Sequence, residues 1–522
     1  MSADTMLSIF LKSASIGETS ATSALNRPSG IIPARPASYN RGEMPLTNAE
    51  AVKSIDRKAR LQVPHQPVPK QKPEERVHNW LEVYEGYDLD TAKIEAYRCI
   101  QCPAAPCQVA CPVSNDIPGA FLKLEDGDVH GAADIFRATN PAPDMCGRLC
   151  PQESLCEGHC VVGKKAIPVA IGRLEAFIAD YERDHGGRPL PAIAPPTGKR
   201  VAVVGSGPAG LAVAEILAVR GHEVRVFEAW PAPGGVLRYG IPNFKMDKRH
   251  VDDQVEYLER LGVPFQYNTR IGYDITLDGL LADGYHAIFL GHGAGEGNKL
   301  GIPGEDLDGI HMATDFLVRA NLPPAELPDW MWDPIEVGKR VVVIGGGDTS
   351  MDCVRSAVRM GAEEVYCVYR RTETEMQGRE EERRHAKEEG VKFTFQATPV
   401  RFVAAPGENR IGAVRFQKME LGEPDESGRR RPVPVIGSEF DIDADTVVVA
   451  IGYHVEKLIY QTTPGLETTD WGTVKTDEHG RTSIPGIFAA GDNVRGADLV
   501  VTALADAKKA ANAMDEYLAV TA

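Results

Sequence analysis

Arg200-Val-Ala-Val-Val-Gly205-Ser-Gly207-Pro-Ala-Gly210 is the stretch on which the fold turns. Val201–Val204 read as a short buried strand, and the glycines after them open a helix that runs to Gly221. Gly205 permits a tight turn, Gly207 lets backbone approach a pyrophosphate, and Gly210 lets helix pack closely on strand. The helix start, with Pro208 and Ala209 in its first turn, offers free N–H groups and the positive end of the helix dipole to phosphates. Eighteen residues beyond Gly210, at the end of the strand Glu223–Phe227, Glu228 is placed to accept hydrogen bonds from a ribose. A glycine-rich helix start needed only for packing is the competing reading, and the acid at the strand end weighs against it.

A second strand–turn–helix unit begins at Arg340-Val-Val-Val-Ile and continues Gly345-Gly346-Gly347-Asp348-Thr349-Ser350, with serine in place of the third glycine. Its second strand, Glu364–Tyr369, ends in Arg370-Arg371 rather than in an acid. Arginines there suit a 2′-phosphate, so this unit reads as an NADP site; an alternative pairs them with the acidic run Glu380–Glu382 on a solvated face. Apolar runs at Val391–Phe395, Gly412–Phe416 and Thr446–Ile451 are expected to be strands of the same α/β layer, and Thr502–Leu518 a closing helix.

Working outward, the chain has 522 residues, a soft prior of three to four domains at roughly 150 each. A net charge of −17 argues against a nucleic-acid binder, which needs a basic face. No apolar run reaches the ~18 residues of a membrane span. The start lacks the basic region of a secretory signal, and the first 26 residues contain no Arg and carry Asp4 and Glu18, unlike a transit peptide. A cytoplasmic protein is expected. Residues 1–75, rich in Ser, Ala and Pro, read as an extended arm; 76–190 as a helical cysteine-bearing domain; 199–335 and 455–522 as two parts of one nucleotide domain; and 336–454 as a second. Asn321–Pro334 reads as the crossover linker.

Eight of the ten cysteines lie between Cys99 and Cys160, while Cys353 and Cys367 read as small core residues. The sets are Cys99-x2-Cys102-x4-Cys107-x3-Cys111-Pro112 and Cys146-x3-Cys150-x5-Cys156-x3-Cys160. A reducing compartment disfavours disulfides. Close thiolates followed by Cys-Pro point to iron–sulfur ligation, although the x4 spacing leaves room for zinc.

Pro233-Gly-Gly235-Val-Leu237-Arg-Tyr-Gly-Ile-Pro242, Lys245–Lys248, Gly486-Ile-Phe-Ala-Ala-Gly491-Asp492 and Leu499-Val-Val-Thr502-Ala503 accompany the first fingerprint. With Trp80–Tyr84, Cys107-x3-Cys111-Pro112 and Cys150-Pro151, they make the chain from about residue 75 onward similar to the glutamate synthase small-subunit family. The resemblance implies an α/β flavoprotein: a helical iron–sulfur domain before two Rossmann-like domains, for FAD and NADP. It implies that Gly235, Leu237, Gly491, Asp492, Thr502 and Ala503 join the FAD site. By the same pattern Cys99, Cys102, Cys107 and Cys160 would hold one [4Fe-4S] cluster, and Cys111, Cys150 and Cys156 a second. The fourth ligand of the second would be Glu175, with Cys146 as the alternative.

The family's chemistry implies hydride transfer from NADPH to FAD and single electrons onward through the clusters. No side chain is named as an acid–base catalyst. Cys353 and Cys367 do not form the CxxC pair of a disulfide reductase. After the cluster and flavoprotein domains nothing is left for an amidotransferase, so a large catalytic partner subunit is expected. The stretch Cys146–Cys156 also resembles the large subunit of ferredoxin-dependent NADP transhydrogenase and the N-terminal half of dihydropyrimidine dehydrogenase. These keep a ferredoxin or flavin partner open as the alternative. A non-catalytic scaffold is the reading from another class, and intact ligand sets and fingerprints oppose it.

Overall fold

In the computed structural model, which describes residues 55–424 and 428–521, two parallel sheets carry the two fingerprints. The first has the order Ile487–Ala489, Ala287–Leu290, Arg200–Val204, Glu223–Phe227, Phe265–Gln266. The closing strand comes from the C-terminal segment, so this sheet is assembled from two separate parts of the chain. The helices Pro208–Val219 and Val500–Val520 pack against one another on the sheet, burying Leu211, Leu217, Leu504 and Met514. The second sheet runs Ile310–Met312, Thr446–Val449, Arg340–Ile344, Glu364–Tyr369, Lys392–Phe395, again parallel. Its central strands are continuous Val/Ile runs because both faces are covered.

Three expectations need correcting. The strand Ile310–Met312 belongs to the second sheet, and the helix Ala313–Asn321 packs on that domain. The chain therefore crosses near Glu296–Gly297, which pairs antiparallel with the returning Tyr453–His454, and not at 335/336. Asn321–Pro334 is thus not the crossover linker; its Leu322 and Leu327 instead share a buried cluster with Tyr239 of the first domain, and Met331 packs against that cluster. Gly412–Phe416 is not part of the α/β layer. It lies in a long hairpin, Ile411–Pro424 with Arg430–Asp443, joined by Ala397–Ala404 into a separate antiparallel sheet.

The cysteine domain is built from short helices, among them Leu89–Tyr97, Ile117–Glu125, Val129–Arg137, Pro143–Leu149 and Ile171–Asp184. Phe121, Phe136 and Leu174 fill its core. The expected arm over 1–75 falls outside the described residues for 1–54. From residue 55 the chain is tied down rather than loose: buried Arg60 forms a two-pronged pair with Glu125 at 2.6 and 2.7 Å. Among the described residues, no helix is long and apolar enough to cross a membrane.

Candidate active site and cluster ligands

One cavity is lined by both fingerprints. From the first domain it takes Gly205, Gly207, Pro208, Ala209, Glu228, Gly235, Gly491, Asp492 and Ala503; from the second, Gly345 to Thr349, Arg370 and Arg371. Three expected contacts lie outside the wall. Gly210 packs beneath it, where a Cβ would stand 1.9 Å from the Gly205 carbonyl oxygen. Leu237 is a fully buried core residue. Thr502 caps its own helix, donating to the Leu499 carbonyl at 2.8 Å and accepting from the Leu499 N–H at 3.2 Å.

The glycines fit a bound dinucleotide. Gly205 has φ +93° and abuts Gly291, as a tight turn requires, whereas a Cβ on Gly207 or on Gly347 would meet nothing within 4 Å. Those two open faces are where phosphates can approach the backbone. Ser350, in the third-glycine position, is buried with its hydroxyl donating to Ala450 O at 3.5 Å. Glu228 Oε2 accepts from the Ser206 N–H at 3.0 Å and from the Ser206 hydroxyl, and Oε1 accepts from Trp230 N–H at 2.9 Å. These bonds hold the carboxylate at the wall with lone pairs remaining for a ribose.

The acidic run Glu380–Glu382 does not take up Arg370 and Arg371. Glu381 pairs with Arg173 at 2.6 Å, and Glu382 with Arg355. Arg370 is exposed at the cavity, while Arg371 is 4% exposed and donates from Nε to Arg430 O at 2.8 Å.

Several wall residues were given no role from the sequence, Lys245 among them although its stretch belongs to the family resemblance. Lys245 lies on the loop between Ile241 and Lys248 and pairs at 2.8 Å with Asp352 of the other domain's helix Asp348–Arg359. Burial opposes its charge, but Asp352, Glu382 and Asp348 outweigh burial and hold the ammonium up to about 12. Burial pushes the His292 imidazole down to about 4, leaving it neutral. Burial likewise raises the Asp492 carboxyl to about 7.

The cysteines of the helical domain lie in two places. Cys99, Cys102, Cys107 and Cys160 line a small apolar cavity with Ile117, Phe121 and Val162. Gln101, Ala105 and Ser114, all with positive φ, hold the loops around these cysteines, a strained backbone of the kind found at functional sites. Cys111, Cys150 and Cys156 share a buried site with both Cys146 and Glu175. Glu175 Oε1 accepts from Asn115 Nδ2 at 2.8 Å and Asn140 Nδ2 at 3.0 Å, and burial raises its carboxyl to about 8 against those bonds. Burial also raises the thiols, Cys107 to about 12 and Cys111 to about 11. Buried thiols of this kind become thiolates when a metal takes the proton's place, which fits a cluster. Among the described residues no three His, Cys, Asp or Glu side chains converge on a point fit for one metal ion.

Fold and site together define a pyridine-nucleotide oxidoreductase joined to an iron–sulfur domain. Residues 199–507 match the family described as pyridine nucleotide-disulphide oxidoreductase. Residues 76–187 match dihydropyrimidine dehydrogenase domain II, 4Fe-4S cluster. The glutamate synthase [NADPH] small chain of Escherichia coli is 40% identical over 84% of this chain and 94% of its own length. The corresponding chain of Azospirillum brasilense is 39% identical over 85% and 92%. The chain belongs to the glutamate synthase small-chain family. The module is also found in larger proteins: the β subunit of an NADP(+)-dependent formate dehydrogenase of Moorella thermoacetica is 39% identical, with 60% of its length covered. FprA from Mycobacterium tuberculosis shares the fold, with TM-score 0.52 and 23% identity over 62% of this chain and 85% of its own.

Proposed function

We propose that the chain is the electron-input subunit of a glutamate synthase: it oxidises NADPH on FAD and delivers electrons through two [4Fe-4S] clusters to a larger partner subunit. The observation that carries this reading is the continuity of the cavity. Both glycine turns open onto it, so two dinucleotides held on them would share one space, with Lys245 and Tyr453 among its walls. A flavin bound there would accept a hydride and release electrons one at a time. The chain's part is to hold phosphates on the N–H groups after Gly205 and Gly345, fix a ribose at Glu228, and orient a ribitol at Asp492.

Cys99, Cys102, Cys107 and Cys160 would hold one cluster, and Cys111, Cys150 and Cys156 the other with Glu175 or Cys146. The second set is the nearer to the flavin end. Leu149, beside Cys150, lines the cavity, and Cys111, Cys146 and Cys150 pack in one core with Ala209 and Leu237. The coverage of the small chains from end to end, against 60% of the formate dehydrogenase subunit, favours a glutamate synthase partner.

Anaerobic co-purification tests the proposal. A large companion carrying FMN and an iron–sulfur cluster, with NADPH bleaching the flavin band, is expected. A band that NADPH leaves unchanged overturns the oxidoreductase reading. A small flavin-and-iron companion with NADPH-linked ferredoxin reduction replaces the partner by that of the transhydrogenase.

A further inference from the structure

At the second-fingerprint end, three arginines line the cavity: Arg370 and Arg371 after the strand Glu364–Tyr369, and Arg429 just before the hairpin strand Arg430–Asp443. The neighbouring wall is uncharged, with Gln377, Thr398 and Pro399. Hydrogen bonds join the strand end to the hairpin. Arg371 Nε donates to Arg430 O at 2.8 Å, Gln396 N–H to Arg371 O at 3.0 Å, and Met419 N–H to Gln396 O at 2.7 Å. Arg430 turns back on its own hairpin, donating to Gly422 O at 3.2 Å and Leu421 O at 2.6 Å. Its guanidinium is thus engaged away from the cavity that Arg429 lines.

The two arginines of the strand end therefore differ in role. Arg370 is exposed and lines the cavity. Arg371 is almost wholly buried and spends its Nε on the residue next to Arg429. A 2′-phosphate carries up to two negative charges and three strong acceptor oxygens, more than one guanidinium fork satisfies. We propose that Arg429, delivered by the antiparallel hairpin, is a specificity-determining residue that reads the 2′-phosphate together with Arg370, and that Arg371 is its positioning residue. This deepens the NADPH reading above and rests on it. No electron transfer is involved; the step is ionic recognition alone.

The test is calorimetric titration of the holoenzyme with 2′,5′-ADP and with 5′-AMP, which differ only in the 2′-phosphate. The wild type is expected to prefer 2′,5′-ADP. Arg429→Ala and the bulkier Arg429→Gln should each weaken 2′,5′-ADP binding about tenfold or more while leaving 5′-AMP unchanged. Arg431→Ala, exposed on the same hairpin, should change neither. The flavin absorption band reports that each variant is folded. Wild-type discrimination in both Arg429 variants overturns the assignment and leaves the NADPH reading standing on Arg370. A wild type that does not discriminate overturns the NADPH reading, and this assignment with it.

Discussion

Asp492 shows what a single residue contributes when a cavity wall is prepared for a ligand. Its carboxyl is raised from 3.8 to about 7, chiefly by burial, and its Oδ1 accepts from Asp498 N–H at 3.3 Å. A carboxyl with a folded-state pKa above its unfolded value binds its proton more tightly when folded. The apoprotein therefore loses stability as pH rises from about 4 to about 7, and the full penalty remains above that. Asp492→Asn keeps an acceptor for Asp498 and has no charge to bury. Thermal melts of the flavin-free proteins should coincide near pH 4, with the variant melting progressively higher up to pH 7 and a constant gap beyond. A gap that is the same at every pH would count against a buried carboxylate as its origin. At this scale the sequence exposed residues that sit in motifs, such as Asp492 and Glu228. His292 and Arg429 reach the cavity from a strand end and a hairpin, where local pattern has no period to follow, and the stretch holding Lys245 gave no sign of its pairing with Asp352.

At the scale of an element, the two glycine turns make a sharper prediction, because the same substitution meets different surroundings. Gly207 and Gly347 have ordinary φ values of −70° and −94°, and an added Cβ would meet no protein atom within 4 Å. Gly207→Ala should therefore fold and melt like the wild type yet purify with little flavin, since the methyl occupies the space that phosphate needs. Gly347→Ala should keep its flavin and lose NADPH binding. Gly210→Ala is different, with its Cβ 1.9 Å from the Gly205 carbonyl; it should lower the melting temperature as well as the flavin content. Flavin-to-protein ratio, thermal melting and NADPH titration separate the three. The βαβ units were legible because glycine turns, apolar strands and helix lengths all agree there. The crossover was not. Ile310–Met312 is a three-residue strand and Glu296–Gly297 a two-residue one, both too short to show a period, while the Pro-rich Asn321–Pro334 carries stronger linker chemistry. The cysteine domain was legible through ligand spacing rather than through its helices, several of which span only four to nine residues.

Across the whole molecule, the segment 70–84 joins all three domains, running through the boundary that the sequence sets at 75/76 between the arm and the helical domain, and charge anchors much of it. Val83 N–H donates to Phe244 O at 3.0 Å in the first nucleotide domain, and Trp80 packs on the Phe244 ring. Arg76 is fully buried in the second, with Nε to Glu389 at 2.7 Å and Nη2 to Glu388 at 2.9 Å. Arg355 and Arg359 also bind Glu389 and lie over the Phe244 ring at 4.4 and 4.1 Å. Glu82, held down to about 2 against burial by His250 and Arg148, ties the same segment to the helix that carries Cys146. A hydrophobic pattern is silent about such a brace, and hence its register was invisible. In Arg76→Ala, Glu389 keeps two arginines but Glu388 loses its buried partner and a guanidinium-sized gap opens. Glu388 is partly exposed and keeps Lys70 at 3.4 Å, so the loss falls mainly on the packing and bridging that the buried guanidinium supplies. The wild type should lose cluster absorbance and release flavin in one coincident thermal transition, as a single cooperative unit does. In Arg76→Ala the cluster absorbance should fall first, at lower temperature, with flavin release following separately. Two signals that shift together by the same amount would mean that Arg76 stabilises the fold without joining its parts.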